Sequence, residues 1–442
     1  PMEYACNDYH LMNDQLGCED DPNCYWNGAI CLDTCFDGTI PDCSGVCGGN
    51  DWSCEGGQYN NCWNLDPACS GCASRPIATG GIKEVILEWD SNENAVSYNI
   101  YKDCEFVGSS FAPGFIDVQV NGGGGVLFNA KPSAAAIETM ALAHLRFGTT
   151  SMLPTIITDN ADTMTRAADA IAEVLAAGPE YIKTLIKGIH FEGPFLSTAK
   201  KGVHDDRFIR VPSDFEIATI TRSDLGAVLV TIAPESVSST FIEELVSEGV
   251  VVSIGHTNAT FEQVQRAIDA GATGFTHLYN AMSALTSREP GAVGAALSNA
   301  QTYSGFIIDH HHLHPKSAEI ALKIKGEDRA MLVTDAMAHV GSDISRLPFF
   351  NTEIVRSGNK LTTPEGTLAG SCLDMHSALV NTYSDCGISL ESASKMASIT
   401  PATFMNLQHE IGSIEVGKQA DFVLLDNSQM LLQVWSSGRK VL

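Results

Sequence analysis

The chain has 442 residues and a formal net charge of −27 at pH 7. This length allows about two or three domains with a large core, and no apolar run approaches the roughly 18 to 20 residues that a membrane span requires. The excess of acidic residues argues against nucleic acid or an anionic membrane as a partner. The opening Pro-Met-Glu has neither the basic nor the apolar part of a secretory signal, so we expect that signal to be absent or already removed.

Residues 1–80 are predicted to form a cysteine-rich segment without regular structure. Eleven of the fourteen cysteines fall between Cys6 and Cys72, among many Gly, Asn and Asp residues. This density favours a loop-rich module held by disulfides, as in secreted proteins. A zinc knuckle is the competing interpretation, but the cysteines do not form paired CxxC units and no histidine falls in register.

Residues 81–110 are predicted to be a β-hairpin fragment. The segment 82–109 alternates apolar and polar residues on either side of a turn at 91–94, which is typical of paired strands. It is similar to the early hairpin of a fibronectin type III domain. Two strands cannot close a β-sandwich alone, so we expect only a fragment of such a domain.

From Phe111 the sequence changes to a regular alternation of strands and helices. Eight short, apolar runs have the composition of strands buried on both faces of a parallel sheet. These runs are FIDVQV, TTSMLPT, IKGIHFE, AVLVTIAPE, VVVSIGH, GFTHL, YSGFIID and AMLVTD. Helical segments are predicted between them at 133–147, 160–177, 238–249, 261–270 and 316–325. The fold class is therefore α/β: a TIM-type (β/α)8 barrel over 111–345, with helices and a small β-sandwich accessory domain over 346–442.

Four ionisable residues, Glu192, His256, His277 and Asp335, stand at or next to the C-terminal ends of four of these strand runs. The C-terminal ends of barrel strands meet on one face, where (β/α)8 enzymes carry their active sites. One carboxylate and two imidazoles suit one divalent metal ion, zinc first, with iron and manganese as alternatives. Three protein ligands leave a coordination position open for chemistry, and an aspartate beside it is suited to move protons. The pattern predicts a metallohydrolase.

Each of these residues taken alone has an ordinary structural explanation. A glutamate at a loop edge is usually solvated, and a single buried histidine is more often hydrogen-bonded than metal-bound. An aspartate that ends a strand also occurs in Walker B sites, but the chain has no GxxxxGK[ST] loop. The occurrence of all four at strand ends is what favours a shared metal ion.

The loop LYNAMSALTSREPG indicates a substrate-binding region. Arg288, in its Gly- and Pro-containing part, suits a phosphate group, with a surface salt bridge as the ordinary alternative. In DHHHLHP only His312 is expected to face a substrate. The turn GTLAGS, with Leu368, Ala369 and Gly370, is a candidate to border a ligand through its backbone.

The ordered motifs PGFIDVQVNGGGG, HFEGPF, KKGVH, GHTNAT, THLYNAM, REPG, LVTDA, LAGS and GSIEVGKQADFVLLD resemble the N-acetylglucosamine-6-phosphate deacetylase family of the amidohydrolase superfamily, from about residue 111 to the C-terminus. The resemblance implies that Glu192, His256 and His277 bind the metal. It implies that Asp335 accepts and donates the proton and that His204 helps to polarise the acetyl carbonyl. The residues implied to contact the sugar phosphate are Gln119, Val203, His204, Asn280, Ala281, Arg288, His312, Leu368, Ala369 and Gly370.

Two departures from the family pattern carry predictions. Many amidohydrolases open the barrel with a His-x-His pair that binds a second metal. The matching positions here are Gln119 and Asn121, which are poor ligands for a transition metal and predict one metal ion per site. The family's N-terminal β-strands are replaced by the cysteine-rich and hairpin segments, as in a chimera. We therefore expect an incomplete accessory sandwich with Val423 and Leu425 partly uncovered.

The resulting functional hypothesis is hydrolysis of N-acetyl-D-glucosamine 6-phosphate to D-glucosamine 6-phosphate and acetate. The alternatives are an amidohydrolase for a different N-acyl sugar or cyclic amide, and a non-catalytic secreted binding protein. A sugar-phosphate substrate favours the cytoplasm, although the cysteine-rich segment favours a secreted origin. The family resemblance implies a homodimer or homotetramer.

Overall fold

The structure is a computed structural model that describes residues 110–442. Before Ser110 it describes only the backbone pairing of three pairs of short antiparallel strands. These pairs are Cys24–Trp26 with Cys31–Asp33, Ile77–Thr79 with Ile86–Glu88, and Ile100–Lys102 with Glu105–Gly108. Residues 1–110 and 111–442 form two separate compact units. The predicted disulfides and the predicted turn at 91–94 lie outside the described residues.

Eight parallel strands form the centre of the second unit, and each is hydrogen-bonded to its neighbours in chain order. The strands are β1 (Phe115–Val120), β2 (Thr149–Ile157), β3 (Gly188–Glu192), β4 (Ala227–Ile232), β5 (Val251–Ile254), β6 (Gly274–Phe275), β7 (Tyr303–Phe306) and β8 (Ala330–Leu332). Nearly all of their residues are buried, as expected for strands covered on both faces. All eight predicted strands and the TIM-type barrel are confirmed.

The barrel is closed at the seam between β8 and β1 by a few specific bonds rather than by a long ladder. One parallel bridge joins Val120 to Ala336. The buried carboxylate of Asp117 accepts hydrogen bonds from the Thr334 hydroxyl at 2.5 Å and the Thr334 amide at 3.3 Å. These bonds fix the end of β1 against the residues that follow β8.

Helices connect the strands and cover the outside of the barrel. They are α1 (Ala134–Leu145), α2 (Ala161–Ala177), α3 (Glu180–Lys183), α4 (Asp214–Ile220), α5 (Ser239–Ser247), α6 (Phe261–Asp269), α7 (Gly291–Ser298), α8 (Pro315–Lys325), α9 (Met375–Asp385), α10 (Leu390–Ala397) and α11 (Ile399–Phe404). Short 3-10 turns lie at Thr198–Lys200, Asp206–Phe208 and Pro234–Ser236. The starts of α1 and α2 are set by Ser133 and Asn160, whose side-chain oxygens accept a hydrogen bond from an amide of the first turn.

Two small antiparallel sheets accompany the barrel. The first contains Arg346–Phe349, Thr352–Ser357 and Lys360–Thr362. The second contains, in spatial order, Arg439–Lys440, Leu431–Ser436, Phe422–Leu425 and Ser110–Pro113. A short hairpin of Gly122–Gly123 and Val126–Leu127 follows β1.

The expectation that the tail would be partly uncovered is wrong. Val423 and Leu425 are 0% and 1% exposed and belong to the main hydrophobic cluster. Their strand lies between two neighbouring strands rather than at a sheet edge. Val423 also packs so closely on the barrel that a Cβ added to Gly148 would lie 3.0 Å from its Cγ1.

Within the described part of the chain, no helix has the length and apolar character needed to cross a membrane.

Candidate metal centre and active site

The four chemically important residues lie at the same end of the barrel. Glu192 is the last residue of β3, and His256 and His277 each follow their strand, β5 or β6, by two residues. Asp335 follows β8 by three residues. Because these strands are parallel, their C-terminal ends bring the four side chains to one face.

Glu192, His256 and His277 form a compact, buried triangle of possible metal ligands. Oε1 of Glu192 lies 3.2 Å from His256 Nε2 and 3.1 Å from His277 Nε2, and the two Nε2 atoms are 3.1 Å apart. A tetrahedral site with zinc-ligand bonds of 2.0–2.1 Å has ligand atoms about 3.3 Å apart. The three ligand atoms therefore have a spacing that fits one small divalent cation.

The hydrogen bond of His256 to the backbone also fits a metal site. His256 Nδ1 lies 3.0 Å from the carbonyl oxygen of Lys200, and because a carbonyl only accepts, this nitrogen carries the proton. With Nδ1 bonded to this carbonyl, Nε2 is the His256 nitrogen that faces Glu192 Oε1, where a cation would bind both. Burial raises the pKa of Glu192, but its contacts with His256 and His277 outweigh burial and hold that pKa well below its usual range.

Three of the four residues have a strained backbone. His256, His277 and Asp335 have φ values of 46°, 33° and 52°, in the left-handed region that non-glycine residues rarely adopt. Hydrogen bonds hold this conformation: the Ser197 amide donates to His256 O and the Ser371 amide donates to Asp335 O, each at 2.9 Å. Strained residues maintained in this way are typical of functional sites.

Asp335 lies beside the triangle and is held by two amide side chains. Gln119 Nε2 lies 3.2 Å from both Asp335 Oδ1 and Glu192 Oε1, and Asn121 Nδ2 lies 2.6 Å from the same Asp335 Oδ1. Burial, followed by the negative charge of Glu192, raises the pKa of Asp335 to about 7. A carboxyl group with a pKa near neutrality is suited both to take up and to release a proton.

His204 lies against the triangle from the loop after β3. Its ring centroid is 4.3 Å from that of His256, and its side chain is buried. Burial, with a smaller contribution from His256, lowers the pKa of His204 to about 3, so the ring is neutral and carries one N–H donor. Its Nδ1 has no hydrogen-bond partner within residues 110–442.

Other predicted substrate residues lie in turns that contact His277 and Asp335. Asn280 donates from Nδ2 to the carbonyl oxygen of His277 at 3.1 Å, and Ala281 has φ 50° in the same turn. Gly370 lies against Asp335, because an added Cβ would be 2.9 Å from Asp335 O. Leu368 and Ala369 precede it in the same turn, and Ala369 is buried.

Three further predicted residues form no hydrogen bond with the metal ligands within residues 110–442. His312 Nδ1 lies 2.7 Å from Asp309 Oδ2, and the charge of His312 acts on Asp335 to lower its pKa. Val203 packs against a small hydrophobic cluster that includes Met337. Arg288 is exposed, and within residues 110–442 it forms no ion pair or hydrogen bond. The structure therefore brings Gln119 and His204 to the metal ligands but leaves Arg288 in the outer loop.

Two buried residues near the centre were not assigned a site role from the sequence. Asn121, considered only as a missing metal ligand, contacts Asp335 directly. His190 faces the same side of β3 as Glu192, and its ring nitrogens lie 2.9 Å from Val118 O and 2.8 Å from Thr231 Oγ1. The two-residue spacing from Glu192 was the available signal for His190, since alternate strand residues share a face.

Comparison with known proteins places this site in a family. Residues 111–441 match the amidohydrolase family model. The chain belongs to the amidohydrolase family. This amidohydrolase is 45% identical to an N-acetylgalactosamine-6-phosphate deacetylase of Shewanella sp. (strain ANA-3), over 85% of this chain and 92% of that protein. It is 32% identical to an N-acetylglucosamine-6-phosphate deacetylase of Haemophilus influenzae, over 82% and 93%.

A solved structure gives the same result. The N-acetylglucosamine-6-phosphate deacetylase from Pasteurella multocida matches with a TM-score of 0.73 and 34% identity, over 83% of this chain and 93% of that one. These findings confirm the predicted family and barrel fold. The match to the amidohydrolase family and the buried Glu/His/His group, which could hold a metal ion, are consistent with a divalent metal ion as the cofactor. Because the Shewanella match covers more of this chain than residues 111–442 contain, the similarity begins before Phe111.

Proposed function

We propose that this amidohydrolase hydrolyses the acetamide group of an N-acetylhexosamine 6-phosphate, with N-acetyl-D-glucosamine 6-phosphate as the first candidate, to release acetate and the amino sugar phosphate. The observation that carries this proposal is the buried triangle of Glu192, His256 and His277 beside Asp335. Two relatives and a solved structure with the same fold are named as deacetylases of such sugar phosphates.

Glu192, His256 and His277 would hold one divalent ion, and zinc suits this set of nitrogen and oxygen donors. When bound, the ion supplies Lewis-acid polarisation of the acetyl carbonyl. The amide side chains of Gln119 and Asn121 do not offer a second set of strong ligands, which supports one ion per site. Metal analysis of the purified chain is expected to give about one ion per chain.

The protein's own groups supply the proton transfers. Asp335 takes a proton from the attacking water as the oxygen bonds to the acetyl carbon, and returns it to the nitrogen as the C–N bond breaks. The neutral His204 donates its N–H toward the carbonyl oxygen, where negative charge develops. The second proton of the water leaves the new carboxylic acid and is taken up by the amine, so one water molecule yields acetate and the protonated amino sugar phosphate.

The phosphate is proposed to bind at the loop after β6. Arg288 is an exposed guanidinium with no ion-pair partner in residues 110–442, and the Asn280–Ala281 turn leads to it from the metal ligand His277. A planar guanidinium suits two phosphate oxygens at once. His312 and the turn at Leu368–Gly370 would border the sugar, with Val203 on the side of His204.

A second candidate substrate is N-acetyl-D-galactosamine 6-phosphate. The specific observation in its favour is the 45% identity with the Shewanella N-acetylgalactosamine-6-phosphate deacetylase. The identity with the Haemophilus N-acetylglucosamine-6-phosphate deacetylase is 32%. The two sugars differ only in the configuration at C4, so the metal centre and Asp335 would act on both in the same way.

Acetate release by the purified full chain tests both candidates. We expect a larger kcat/KM for one of the two 6-phosphates and much weaker activity on the sugars without phosphate. Equal activity with and without phosphate would instead favour an amidohydrolase for another N-acyl compound. Full metal loading with no acetate release from any of them would favour a binding protein.

The subunit arrangement and location belong to the same proposal. A homodimer or homotetramer is proposed, and light scattering of the purified chain would measure its mass. A cytoplasmic location is proposed because phosphorylated sugars are charged and stay in the compartment where they are made; fractionation of cells would test it.

A further inference from the structure

We propose that Asn121 positions Asp335 for proton transfer and that, together with Gln119, it leaves Oδ2 of Asp335 as the proton-accepting oxygen. This inference rests on the proposed function, because it assigns a role within that reaction. Asn121 follows β1 directly at the barrel seam, and its side chain is buried.

Two amide donors converge on a single oxygen of Asp335. Asn121 Nδ2 lies 2.6 Å from Asp335 Oδ1, and Gln119 Nε2 lies 3.2 Å from it. A carboxylate oxygen has two lone pairs in its plane, so the two donors occupy Oδ1. No residue in 110–442 donates a hydrogen bond to Oδ2. Oδ2 is therefore the oxygen with a lone pair available for the proton of the attacking water.

The backbone around Asn121 fixes the distance between the two side chains. The amides of Asn121 and Gly122 both donate to the carbonyl oxygen of Ala336 at 2.9 Å, and the Asp335 amide donates to Gln119 O at 2.9 Å. These bonds tie Asp335 and its neighbour Ala336 to the end of β1. The Asn121 amide therefore stays in place while protons move on and off the carboxylate.

The side-chain oxygen of Asn121 shows that the donor nitrogen Nδ2 is the atom that serves the site. Its Oδ1 is buried and has no hydrogen-bond partner within residues 110–442. A buried unsatisfied oxygen opposes folding, so packing alone would favour an apolar residue at this position. With the amide reversed, that oxygen would face Asp335 Oδ1 and the two acceptors would repel. The donor function of Nδ2 is what the asparagine contributes.

The test compares Asn121→Asp and Asn121→Ala with the wild type in the full chain. Asn121→Asp keeps the shape of the side chain but replaces the N–H donor by an acceptor. Asn427→Asp is the matched control: it makes the same chemical change at an exposed residue of the C-terminal segment whose side chain forms no hydrogen bond within residues 110–442. Acetate release gives kcat and KM, metal analysis gives ions per chain, and thermal melting reports the fold.

We expect both Asn121 variants to lose roughly 10- to 100-fold in kcat, the effect of losing a hydrogen bond to a charged group. KM, melting temperature and one metal ion per chain should stay near wild type, as should every parameter of Asn427→Asp. A residue that only fills space would not separate kcat from KM in this way, and Asn121→Ala, which adds no charge beside Asp335, would then be nearly as active as wild type.

Three results would overturn the proposal. The first is a kcat of Asn121→Asp within about two-fold of wild type. The second is loss of metal in parallel with activity, which would make Asn121 a support of the metal ligands. The third is an unchanged kcat in Asn121→Ala. This variant is the decisive one if Asn121→Asp binds two metal ions. A metal-loaded wild type that releases no acetate would instead reject the proposed function itself.

Discussion

Glu192 is the residue through which the metal ligands and the proton-transfer group are connected. Its Oε1 lies within 3.2 Å of a nitrogen of His256, His277 and Gln119, and Gln119 continues to Asp335. Each of these contacts joins residues that are far apart in the sequence. Changing one side chain at a time can therefore separate the role of the metal ligands from that of the proton acceptor Asp335.

Replacing Asp335 with Asn should remove the proton acceptor while keeping the shape of the side chain. We expect kcat to fall by roughly 100- to 10,000-fold, the range for loss of a general acid-base group. Metal content should stay near one ion per chain, since Asp335 is not one of the three ligands. Asp343→Asn, at an exposed position, is the control with the same charge change. Loss of metal together with activity would count against a role in proton transfer.

Replacing Arg288 with Ala should reveal the phosphate contact. The expected result is a kcat/KM lower by roughly 10- to 1,000-fold on the preferred 6-phosphate, because a charge-assisted contact is lost. The weak activity on the sugar without phosphate should not change. Arg439→Ala is the control, since Arg439 is also exposed and has no ion pair within residues 110–442. Equal losses on both substrates would assign Arg288 to another role.

At the scale of elements, the β8–β1 seam is where the barrel closes and where Gln119 and Asp335 meet. The seam contains the fully buried Asp117, whose carboxylate accepts hydrogen bonds from Thr334 and from the Gln119 amide. Burial raises the pKa of Asp117 to about 7, with its hydrogen bonds opposing that rise. The contribution of this seam to the stability of the barrel therefore depends on pH.

The sign of this coupling gives a prediction. The folded pKa of Asp117 is above its unfolded value of 3.8, so its contribution to stability is complete below about pH 4 and is lost as the pH rises through about 7. Asp117→Asn should remove this part of the loss, so the free energy of unfolding should fall less between pH 4 and 8 than in the wild type, by an amount on the order of 2–4 kcal/mol, while the contribution of Asp335 remains. Urea unfolding at several pH values measures it, with Asp343→Asn as the control. Parallel pH curves for the variant and wild type would exclude Asp117 as the titrating group.

The elements themselves were predictable from the sequence, but the contacts between them were not. Apolar runs such as VVVSIGH identify a strand and place His256 at its end, because strand periodicity and burial are local properties. Asn121 and Asp335 are 214 positions apart, and only barrel closure brings them to 2.6 Å. The burial of Val423 was mispredicted for the same reason, since it depends on which strands lie beside Phe422–Leu425.

At the scale of the whole molecule, the C-terminal segment is hydrogen-bonded to the end of the barrel opposite the site. Lys187 Nζ donates to Gln419 Oε1 at 2.9 Å just before β3, and the Gly114 amide donates to Asp421 O at 3.0 Å just before β1. The tail thus joins the starts of two strands whose far ends carry Gln119 and Glu192. Barrel, helices and tail form one compact unit that contains every proposed site residue.

A chain restarted at Ser110 should therefore retain the chemistry. We expect about one metal ion per chain and a kcat/KM within about three-fold of the full chain, because the metal ligands and the contacts described for them lie in 110–442. Starting at Ser110 keeps the strand that pairs with Phe422–Leu425. Acetate release and metal analysis of both forms provide the comparison. An inactive but folded and metal-loaded short form would mean that residues before Ser110 contribute to the site.

The left-handed backbone at His256, His277 and Asp335 has a consequence for engineering. Glycine adopts such a conformation without steric cost, so each position stores about 1–3 kcal/mol that a glycine would release. At Asp335 glycine would release this strain and also remove a buried carboxyl group, whereas glycine at either histidine would leave the buried Glu192 carboxylate without one of its partners. A mutant library screened only for survival on heating should therefore accumulate glycine at Asp335 and yield more stable proteins with no turnover. Selection of this barrel for thermal stability therefore has to include a measurement of acetate release in every round.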